Sequence, residues 1–297
     1  MKTLTPLRYP GGKTQIYEYI KELVEVNQCR TYIEPYMGGA GVALKLLING
    51  DVDKIMVNDF DKSIYAFWYS VINYTDELID MIEQTPITII EWEKQREIQN
   101  QREAIDDLLK LGFSTLFLNR TNRSGILKAG VIGGKKQSGF YKLDCRFNKI
   151  SLIEKIKVIS SYKSQIKLYN MDAVEFIKSS ISRTKASLTF FDPPYYVKGS
   201  ALYTNFYSHQ NHVELKDTIK LHMENKKWIL TYDLCPEIAE LYSDFDSIEY
   251  ALNYSVANKS KGTEYMFFSK NVNKGTVREL LNMQDLIERD KVYAYRR

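Results

Sequence analysis

A short apolar run that ends in an acid and two prolines constrains this chain more than any other stretch. Residues 187–191 read Ser-Leu-Thr-Phe-Phe, and Asp192, Pro193, Pro194 and Tyr195 follow them. The run is rich in aromatic and branched residues and stops at proline, which cannot donate to a sheet ladder, so it predicts a buried strand. Asp192 then stands at the carboxyl end of a strand, which is where open α/β sheets bind their ligands.

The two prolines restrict the backbone after Asp192 and hold its carboxylate and the neighbouring carbonyl groups as an open array of acceptors. An amino group on a heteroaromatic ring is a poor nucleophile, because its lone pair is delocalised into the ring. Two acceptors aimed at its N–H bonds would localise that lone pair while a tyrosine ring stacks on the base. The motif therefore fits adenine N6 or cytosine N4 as the attacking group. A strand followed by a plain proline turn is the alternative interpretation.

The first glycine turn of the chain lies near its amino terminus. Gly11 and Gly12 stand between Tyr9 and Lys13, and the sequence has Leu7 where a phosphate-binding loop requires an earlier glycine. Such a turn lets the backbone approach a ligand, with an aromatic ring and an ammonium group close by. Taken alone, it is more simply explained as a surface turn.

A second glycine-rich turn is typical of a nucleotide-binding unit. A predicted strand at residues 31–34 leads through three glycines into a predicted helix at residues 42–47. The glycine spacing is not that of a dinucleotide site, so NAD is not implied. The next predicted strand, residues 54–58, ends at Asp59, where an acid can accept hydrogen bonds from both hydroxyls of a ribose. Together with Glu34, this pattern favours an adenosyl-type cofactor.

Positive charge is concentrated between residues 119 and 149. This segment holds eight basic residues against one acidic residue, a net charge of +7 in a chain whose total is +4. Such a concentration indicates a polyanion-binding surface, and five glycines allow a loop or hairpin that fits a backbone or a groove. A solvated charged loop is the alternative. The basic residues are Arg120, Arg123, Lys128, Lys135, Lys136, Lys142, Arg146 and Lys149.

The remaining patterns complete an α/β chain. Residues 61–111 look mainly helical with a break near Pro86, and another helix is expected at residues 152–162. Asp172 could contact a cofactor ring or cap the helix that follows it. Residues 199–212 resemble a loop that closes over a site. Further strands are predicted at residues 166–169, 228–232, 248–256 and 263–269, and further helices at residues 173–177 and in the tail from residue 276.

Composition sets the class of protein and its compartment. A hydrophobic content of 44% with 13% aromatic residues fits a globular chain. The three cysteines are far apart and form no metal-ligand spacing, which suits a reducing cytoplasm. The sequence lacks the apolar core of a signal peptide and any run of membrane-spanning length. These features predict a cytoplasmic protein without a membrane partner. No metal partner is predicted either, since His209, His212 and His222 have spacing unsuited to a metal.

Five short motifs follow one another in a specific order: Tyr9-Pro10-Gly11-Gly12-Lys13, Glu34-Pro35-Tyr36-Met37-Gly38-Gly39, Asp59, Asn119-Arg120 and Asp192-Pro193-Pro194-Tyr195. In this order they resemble the Dam-like family of DNA adenine-N6 methyltransferases, up to about residue 270. The resemblance implies an α/β fold with a Rossmann-like seven-stranded class I methyltransferase sheet and an inserted, mainly helical target-recognition domain. Residues 1–72 and 165–272 would form the catalytic domain, residues 73–164 the inserted DNA-binding region and residues 273–297 a C-terminal tail.

The resemblance also implies the reaction. A methyl group would pass from S-adenosyl-L-methionine to N6 of an adenine flipped out of a short double-stranded DNA sequence, by direct in-line displacement. Asp192 would lie between cofactor and base. The carbonyl of Pro193 would accept the second N6 hydrogen, and Tyr195 would stack on the extruded adenine. The catalytic set is Asp192, Pro193, Pro194 and Tyr195.

The resemblance also implies, position by position, which residues contact the cofactor and which contact DNA. The cofactor would contact Tyr9, Gly12, Lys13, Glu34, Tyr36, Gly38, Asp59, Asp172 and Asp192. DNA would contact Arg120, Asn122, Arg123, Lys128, Lys135, Lys136 and Arg146, which would hold phosphates or read guanines.

The chain departs from the family at two places. The family's glycine loop often has glycine where Ala40 stands, and residues 124–149 do not read like the enterobacterial Dam proteins, so a GATC target is not assumed. Cytosine-N4 enzymes tend to carry serine in place of Asp192, which disfavours that substrate. An RNA adenine-N6 methyltransferase and a catalytically silent DNA-binding protein on the same fold stay open as alternatives. A cognate restriction endonuclease would be a partner if the enzyme belongs to a restriction–modification pair.

Overall fold

The computed structural model describes residues 3–9, 11–197, 207–254 and 260–276. Its strands are β1 (Thr31–Glu34), β2 (Lys54–Asn58), β3 (Ile166–Tyr169), β4 (Ser187–Phe191), β5 (Lys227–Asp233), β6 (Asp246–Tyr254) and β7 (Ser260–Phe268). They form one seven-stranded sheet in the order β3-β2-β1-β4-β5-β7-β6. The first five strands are parallel, and β7 runs antiparallel between β5 and β6. The predicted Rossmann-like α/β fold is confirmed.

The centre of the sheet positions the site. Strands β1 and β4 are adjacent and parallel, with Ile33 beside Thr189, and every residue of both strands is buried. Burial on both faces explains why each strand is a continuous apolar run in the sequence. The strand order reverses between these two strands, so their carboxyl ends flank the crevice in which such sheets bind ligands.

Ten α-helices are present in the described part of the chain, besides short 3-10 turns. They are α1 (Tyr17–Val26), α2 (Gly41–Ile48), α3 (Lys62–Asn73), α4 (Thr75–Gln84), α5 (Ile89–Asn100), α6 (Leu108–Thr121), α7 (Lys149–Ser161), α8 (Ala173–Ser179), α9 (His209–His222) and α10 (Pro236–Leu241). Apart from the tail helix, which falls outside the described residues, the strands and helices predicted individually from the sequence have ends within three residues of those observed. None of the described helices is long and apolar enough to cross a membrane.

The five helices between β2 and β3 share a hydrophobic core with the sheet. Trp92 of α5 and Phe117 of α6 belong to the same buried cluster as Val57 of β2. Gly112 lets α6 lie close to α3, because a Cβ atom there would stand 2.5 Å from the carbonyl oxygen of Ala66. The inserted helices are therefore packed onto the sheet through a continuous core.

Two predicted segments need correction or lie outside the described residues. The predicted loop at residues 199–212 ends earlier than expected, because Ser208 and Asn211 form a capping box that starts α9 at His209. Residues 198–206 of that loop and the tail from residue 277 lie outside the described part of the chain. In the basic segment, α6 continues to Thr121, and the only bridge among its described residues joins Asn122 to Val131.

Candidate active site

A cavity of about 700 Å³ lies at the carboxyl edge of the sheet. Acids reach it from three neighbouring strands of the sheet: Glu34 ends β1, Asp59 follows β2, and Asp192 follows β4. Parallel strands bring their carboxyl ends to one edge, which is why residues far apart in the sequence meet here. The sequence-predicted residues that line the cavity are Tyr9, Gly12, Lys13, Glu34, Tyr36, Asp59, Arg120, Asp172, Asp192 and Pro194. Pro193 and Tyr195 are not among its lining residues.

Asp192 is held by a buried lysine and a hydroxyl. The Lys13 ammonium donates to both carboxylate oxygens, at 2.7 and 2.9 Å, and the Thr231 hydroxyl donates to Oδ1 at 2.8 Å. Lys13 is almost completely buried, whereas 21% of the Asp192 side chain stays exposed. Burial raises the pKa of Asp192, while the Lys13 charge opposes that shift. The result is a carboxylate with a fixed orientation that can still be reached from the cavity.

A second acid behind Lys13 was not found from the sequence. Glu264 on β7 is 1% exposed, and its Oε2 lies 3.6 Å from the Lys13 ammonium. The Tyr250 hydroxyl donates to Oε2 at 2.5 Å, and the Tyr195 hydroxyl donates to Oε1. Lys13 therefore lies between two carboxylates. No local pattern marks Glu264, because it stands in an ordinary strand segment and becomes a site neighbour only when β7 inserts beside β5.

Tyr195 is covered in this structure. Tyr195 is only 4% exposed. Its hydroxyl accepts a hydrogen bond from Lys13 at 2.8 Å and donates one to Glu264. Pro194 reaches the cavity, but the Tyr195 ring does not line it. Stacking of this ring on a base, as the resemblance implies, stays a prediction and would require the ring to be uncovered first.

The glycine loop after β1 is shaped by Tyr9. Gly38 has φ +42, and a Cβ atom there would lie 2.5 Å from the Tyr9 ring, so the close approach requires glycine. The Gly38 amide donates to Asp59 Oδ2 at 2.9 Å, although Gly38 is not among the cavity-lining residues. Ala40, where the family often has glycine, also adopts a left-handed conformation with φ +48. The loop thus keeps the geometry that a glycine would favour.

Two acids of the cavity have raised pKa values. Burial, followed by the nearby Asp61 charge, raises the pKa of Asp59 to about 7, and amide hydrogen bonds from Asp61 and Gly38 oppose the shift. Burial also raises the pKa of Glu34 to about 8, opposed by the Tyr32 hydroxyl and the Ala43 amide. Perturbed acids in a cleft are typical of functional sites.

Two more acids support the backbone around the cavity. Asp172 caps α8 through the Val174 amide, at 2.8 Å, and also lines the cavity, so both of its predicted roles remain compatible with its position. Asp233 ends β5 and accepts the amides of Tyr196 and Val197 at 2.9 and 3.0 Å. It thereby holds the chain just after the Asp192 motif. Sequence reasoning missed Asp233, although the signal that marked Asp192, an acid at a predicted strand end, was present.

One predicted DNA contact is corrected by the structure. Asn122 is fully buried, and its side chain accepts from the Trp92 indole at 2.7 Å and donates to the carbonyls of Ile126 and Leu127. An amide with these internal partners holds the turn after α6 and cannot reach DNA. A polar residue among basic ones was read as part of the surface, and only packing shows that it faces the core.

The other predicted DNA contacts lie outside the core. Arg123, Lys128, Lys135, Lys136 and Arg146 are exposed, and Arg120 is half-buried at the main cavity. Lys135 pairs with Glu93 at 3.0 Å. Arg123 and Lys135 line a second cavity of about 520 Å³ beside Trp92. The six residues are therefore not brought together at one point.

His209 and His212 each contact a tyrosine hydroxyl. His212 is buried, with Nδ1 2.7 Å from the Tyr232 hydroxyl, and burial lowers its pKa to about 4. His209 lies 3.1 Å from the Tyr196 hydroxyl. Among the described residues, no three histidines, cysteines or acids are grouped so as to hold a metal ion.

The strand order and the acid-lined cavity at the strand ends define the class: this is a class I methyltransferase fold with its site at the carboxyl edge of the sheet. The chain belongs to the D12 class N6 adenine-specific DNA methyltransferases, whose family model matches residues 9–256. It is therefore an adenine-specific DNA methyltransferase.

Similarity to individual proteins is more distant. The chain is 28% identical over 204 residues to the type II methyltransferase M.MjaIII of Methanocaldococcus jannaschii, covering 64% of this chain and 68% of that protein. Among solved structures, the rRNA methyltransferase AviRa of Streptomyces viridochromogenes matches with a TM-score of 0.34 at 10% identity, covering 89% of this chain and 86% of that one. A likeness this weak adds nothing to the strand order as evidence for the fold.

Proposed function

We propose that this enzyme takes its methyl group from S-adenosyl-L-methionine and transfers it to N6 of an adenine flipped out of a short double-stranded DNA sequence. The observation that carries the proposal is Asp192, a carboxylate oriented by Lys13 and Thr231 yet still open to the cavity. A positioned acceptor of this kind is what the amino group of adenine needs in order to become nucleophilic.

The residues of the cavity fit an adenosyl cofactor. Both Asp59 oxygens are oriented by backbone amides, from Gly38 and Asp61 at 2.9 Å each, and they keep lone pairs for ribose hydroxyls. The Tyr9 ring packs over the loop and lines the same cavity. A volume of about 700 Å³ is within the range of pockets that bind small molecules and cofactors. When bound, the cofactor supplies a methyl group on a sulfonium, a good leaving group.

The chain's own contribution is to position N6 and to take its proton. Asp192 would accept one N6 hydrogen and the Pro193 carbonyl the other, and Asp192 would receive the proton that N6 loses on methylation. Lys13 favours the ionised form of Asp192 and fixes its rotamer through two hydrogen bonds. Because the leaving group is already activated, the main contribution of the protein to catalysis is to orient N6 towards the methyl group.

DNA would lie along the exposed basic residues of the inserted region. We assign residues 73–164 to target recognition. Its exposed basic residues are expected to contact phosphates or bases, namely Arg123, Lys128, Lys135, Lys136 and Arg146. Extrusion of the adenine costs roughly a few kcal/mol, offset by contacts in the cavity. The type II name of the relative makes a cognate endonuclease a reasonable partner to seek.

Transfer of labelled methyl from S-adenosylmethionine to unmethylated genomic DNA tests the proposal directly. Nucleoside analysis should show N6-methyladenine, and single-molecule mapping should place it in one recurring short sequence. Label in RNA alone would support the RNA alternative. No label in either nucleic acid, with DNA still bound, would support the silent DNA-binding alternative.

Cofactor affinity should depend on the ionisation of Asp59. Its pKa is raised to about 7, so a proton competes with the ribose hydroxyls below that pH. We expect titration calorimetry to show weaker S-adenosylmethionine binding at pH 6 than at pH 8. Asp59→Asn should bind about 10-fold to 100-fold more weakly at pH 8 and lose this pH dependence. If the dependence persists in Asp59→Asn and disappears in Glu34→Gln, the titrating group is Glu34.

Charge reversal in the basic segment should weaken DNA binding through phosphates. The double variant Lys135→Glu/Lys136→Glu is expected to reduce the slope of log K against log salt by about 2 or more, since each lost phosphate contact removes roughly 0.9. Lys185→Glu is the matched control, because this exposed residue precedes β4 and lies toward the opposite edge of the sheet from the site. An unchanged slope in the double variant would place the DNA on another face.

A further inference from the structure

Four basic side chains from separate segments lie close enough for their charges to act on one another, and two of them line the main cavity. They are Arg8, Arg120 at the end of α6, Arg146 in the short turn before α7, and Lys155 on α7, here called the cation cluster. Two of them converge on the N-terminal segment: Arg120 Nε donates to the carbonyl of Pro6 at 2.6 Å, and Lys155 Nζ donates to that of Thr5 at 3.2 Å.

Among the described residues, no carboxylate pairs with the cation cluster. Within the described residues, no ion pair within 4 Å joins any of its four members to a carboxylate. The hydrogen-bond acceptors of Arg8, Arg120 and Lys155 are carbonyls and a hydroxyl. Burial, and then the charges of Arg8 and Arg146, lower the pKa of Arg120 to about 10. Lys13, by contrast, lies against Asp192.

Uncompensated like charges repel, so a cluster that persists in a folded protein points to an anionic ligand. Arg8 and Arg120 line the cavity that also contains Asp192, which places the ligand at the mouth of the methylation site. A guanine edge carries no net charge and could not balance four cations. A phosphodiester carries a full negative charge and oxygens that match the donors of arginine.

We propose that Arg8, Arg120, Arg146 and Lys155 bind the backbone phosphate next to the adenine that enters the cavity. This inference rests on the proposed flipping of a DNA adenine. A nucleotide that rotates out of the duplex carries its flanking phosphates towards the protein, and the cation cluster would hold one of them while Asp192 orients the base. Contact made only after rotation favours the extruded state over the stacked one.

The test uses a duplex that carries the mapped target sequence and is bound in the presence of S-adenosylhomocysteine. One linkage beside the target adenine is either a natural phosphate or an uncharged methylphosphonate. We expect the wild type to bind the neutralised duplex about 30-fold more weakly, as for loss of a hydrogen bond to a charged group. On the natural duplex, Lys155→Met should bind about as much more weakly than the wild type as neutralisation weakens the wild type itself. On the neutralised duplex, the affinities of Lys155→Met and the wild type should differ by less than about 2-fold.

Two controls accompany this cycle. Lys157→Met, an exposed change on the same helix, and a methylphosphonate placed six linkages away should each leave affinity nearly unchanged. Arg146→Met repeats the cycle with a second, exposed member of the cluster. 2-Aminopurine at the target position should fluoresce less in Lys155→Met than in the wild type, because fewer complexes hold the base out of the stack.

Two results would overturn this inference alone. Additive losses from Lys155→Met and the methylphosphonate would mean that the two changes affect different contacts. Weaker cofactor binding by Lys155→Met in the absence of DNA would identify the cofactor carboxylate as the ligand instead. If the wild type methylates the natural duplex and either of these results is seen, only this inference fails; if no DNA is methylated at all, the proposed function fails with it.

Discussion

Asp192→Asn should reduce the rate of methyl transfer by about 10³-fold and leave S-adenosylmethionine affinity within a few-fold of the wild type. An amide has one acceptor oxygen in place of two and cannot take up the proton that N6 loses, so both functions proposed for the carboxylate are impaired. General-base groups typically contribute factors of 10² to 10⁴. Single-turnover kinetics with saturating DNA measure the chemical step, and titration calorimetry measures cofactor binding.

A matched variant separates orientation from proton uptake. Thr231→Val removes only the hydroxyl that donates to Asp192 Oδ1 and keeps the carboxylate and Lys13 in place. We expect about a 5-fold loss, because one orienting hydrogen bond contributes roughly 1 kcal/mol. In the wild type, activity should fall as pH drops through the raised pKa of Asp192, since the protonated acid cannot take up the proton that N6 loses. An Asp192→Asn enzyme that keeps a tenth of its rate would contradict the proposed mechanism.

Lys13→Met should destabilise the protein by about 3 kcal/mol at pH 8. Lys13 is the cation that lies 2.7 Å from Asp192 and 3.6 Å from Glu264, and both acids are in or next to the buried core. Removal of one partner from a buried ion pair leaves uncompensated charge, which commonly costs 3 to 5 kcal/mol. Urea unfolding followed by circular dichroism measures the change in the free energy of unfolding.

The free energy of unfolding that Lys13→Met loses should depend on pH. Without Lys13, the folded-state pKa of Asp192, which burial already raises, rises further above its unfolded value, so the folded state binds protons more tightly than the unfolded state. Stability of the variant therefore increases as pH falls, and the deficit should be smaller at pH 5.5 than at pH 8. Adding Glu264→Gln to Lys13→Met should restore part of the stability at pH 8, whereas Lys185→Met on the surface should change it by less than about 0.5 kcal/mol.

The local elements of this fold could be predicted because their signals are local. Strand β4 is a buried apolar run stopped by prolines. Strand β2 is followed directly by Asp59, the acid that accepts the Gly38 amide of the glycine loop. Buried parallel strands are hydrophobic on both faces, which makes them visible without knowledge of their neighbours. The start of α9 was missed, because the cap formed by Ser208 is a single short-range contact inside a polar stretch.

The candidate site was predicted in part. Lys13 and Asp192 were each marked by a motif, but their ion pair joins residues 179 positions apart, and nothing in either motif specifies it. Tyr195 was expected to face a base, yet its hydroxyl reaches Lys13 and Glu264 and its ring is covered. Asn122 was expected on the DNA surface and lies in the core. In each case the side chain's surroundings come from elements distant in sequence.

By itself, the sequence determined the strands, the acids at their ends and the concentration of basic residues, because periodicity, chain stiffness and charge belong to single segments. Only the tertiary structure decided which side chains share a site. Glu264 reaches Lys13 because β7 inserts antiparallel beside β5, and Arg8 reaches Arg120 because the N-terminal segment packs on α6. These placements depend on the sum of many long-range packing contacts, and no single segment encodes that sum.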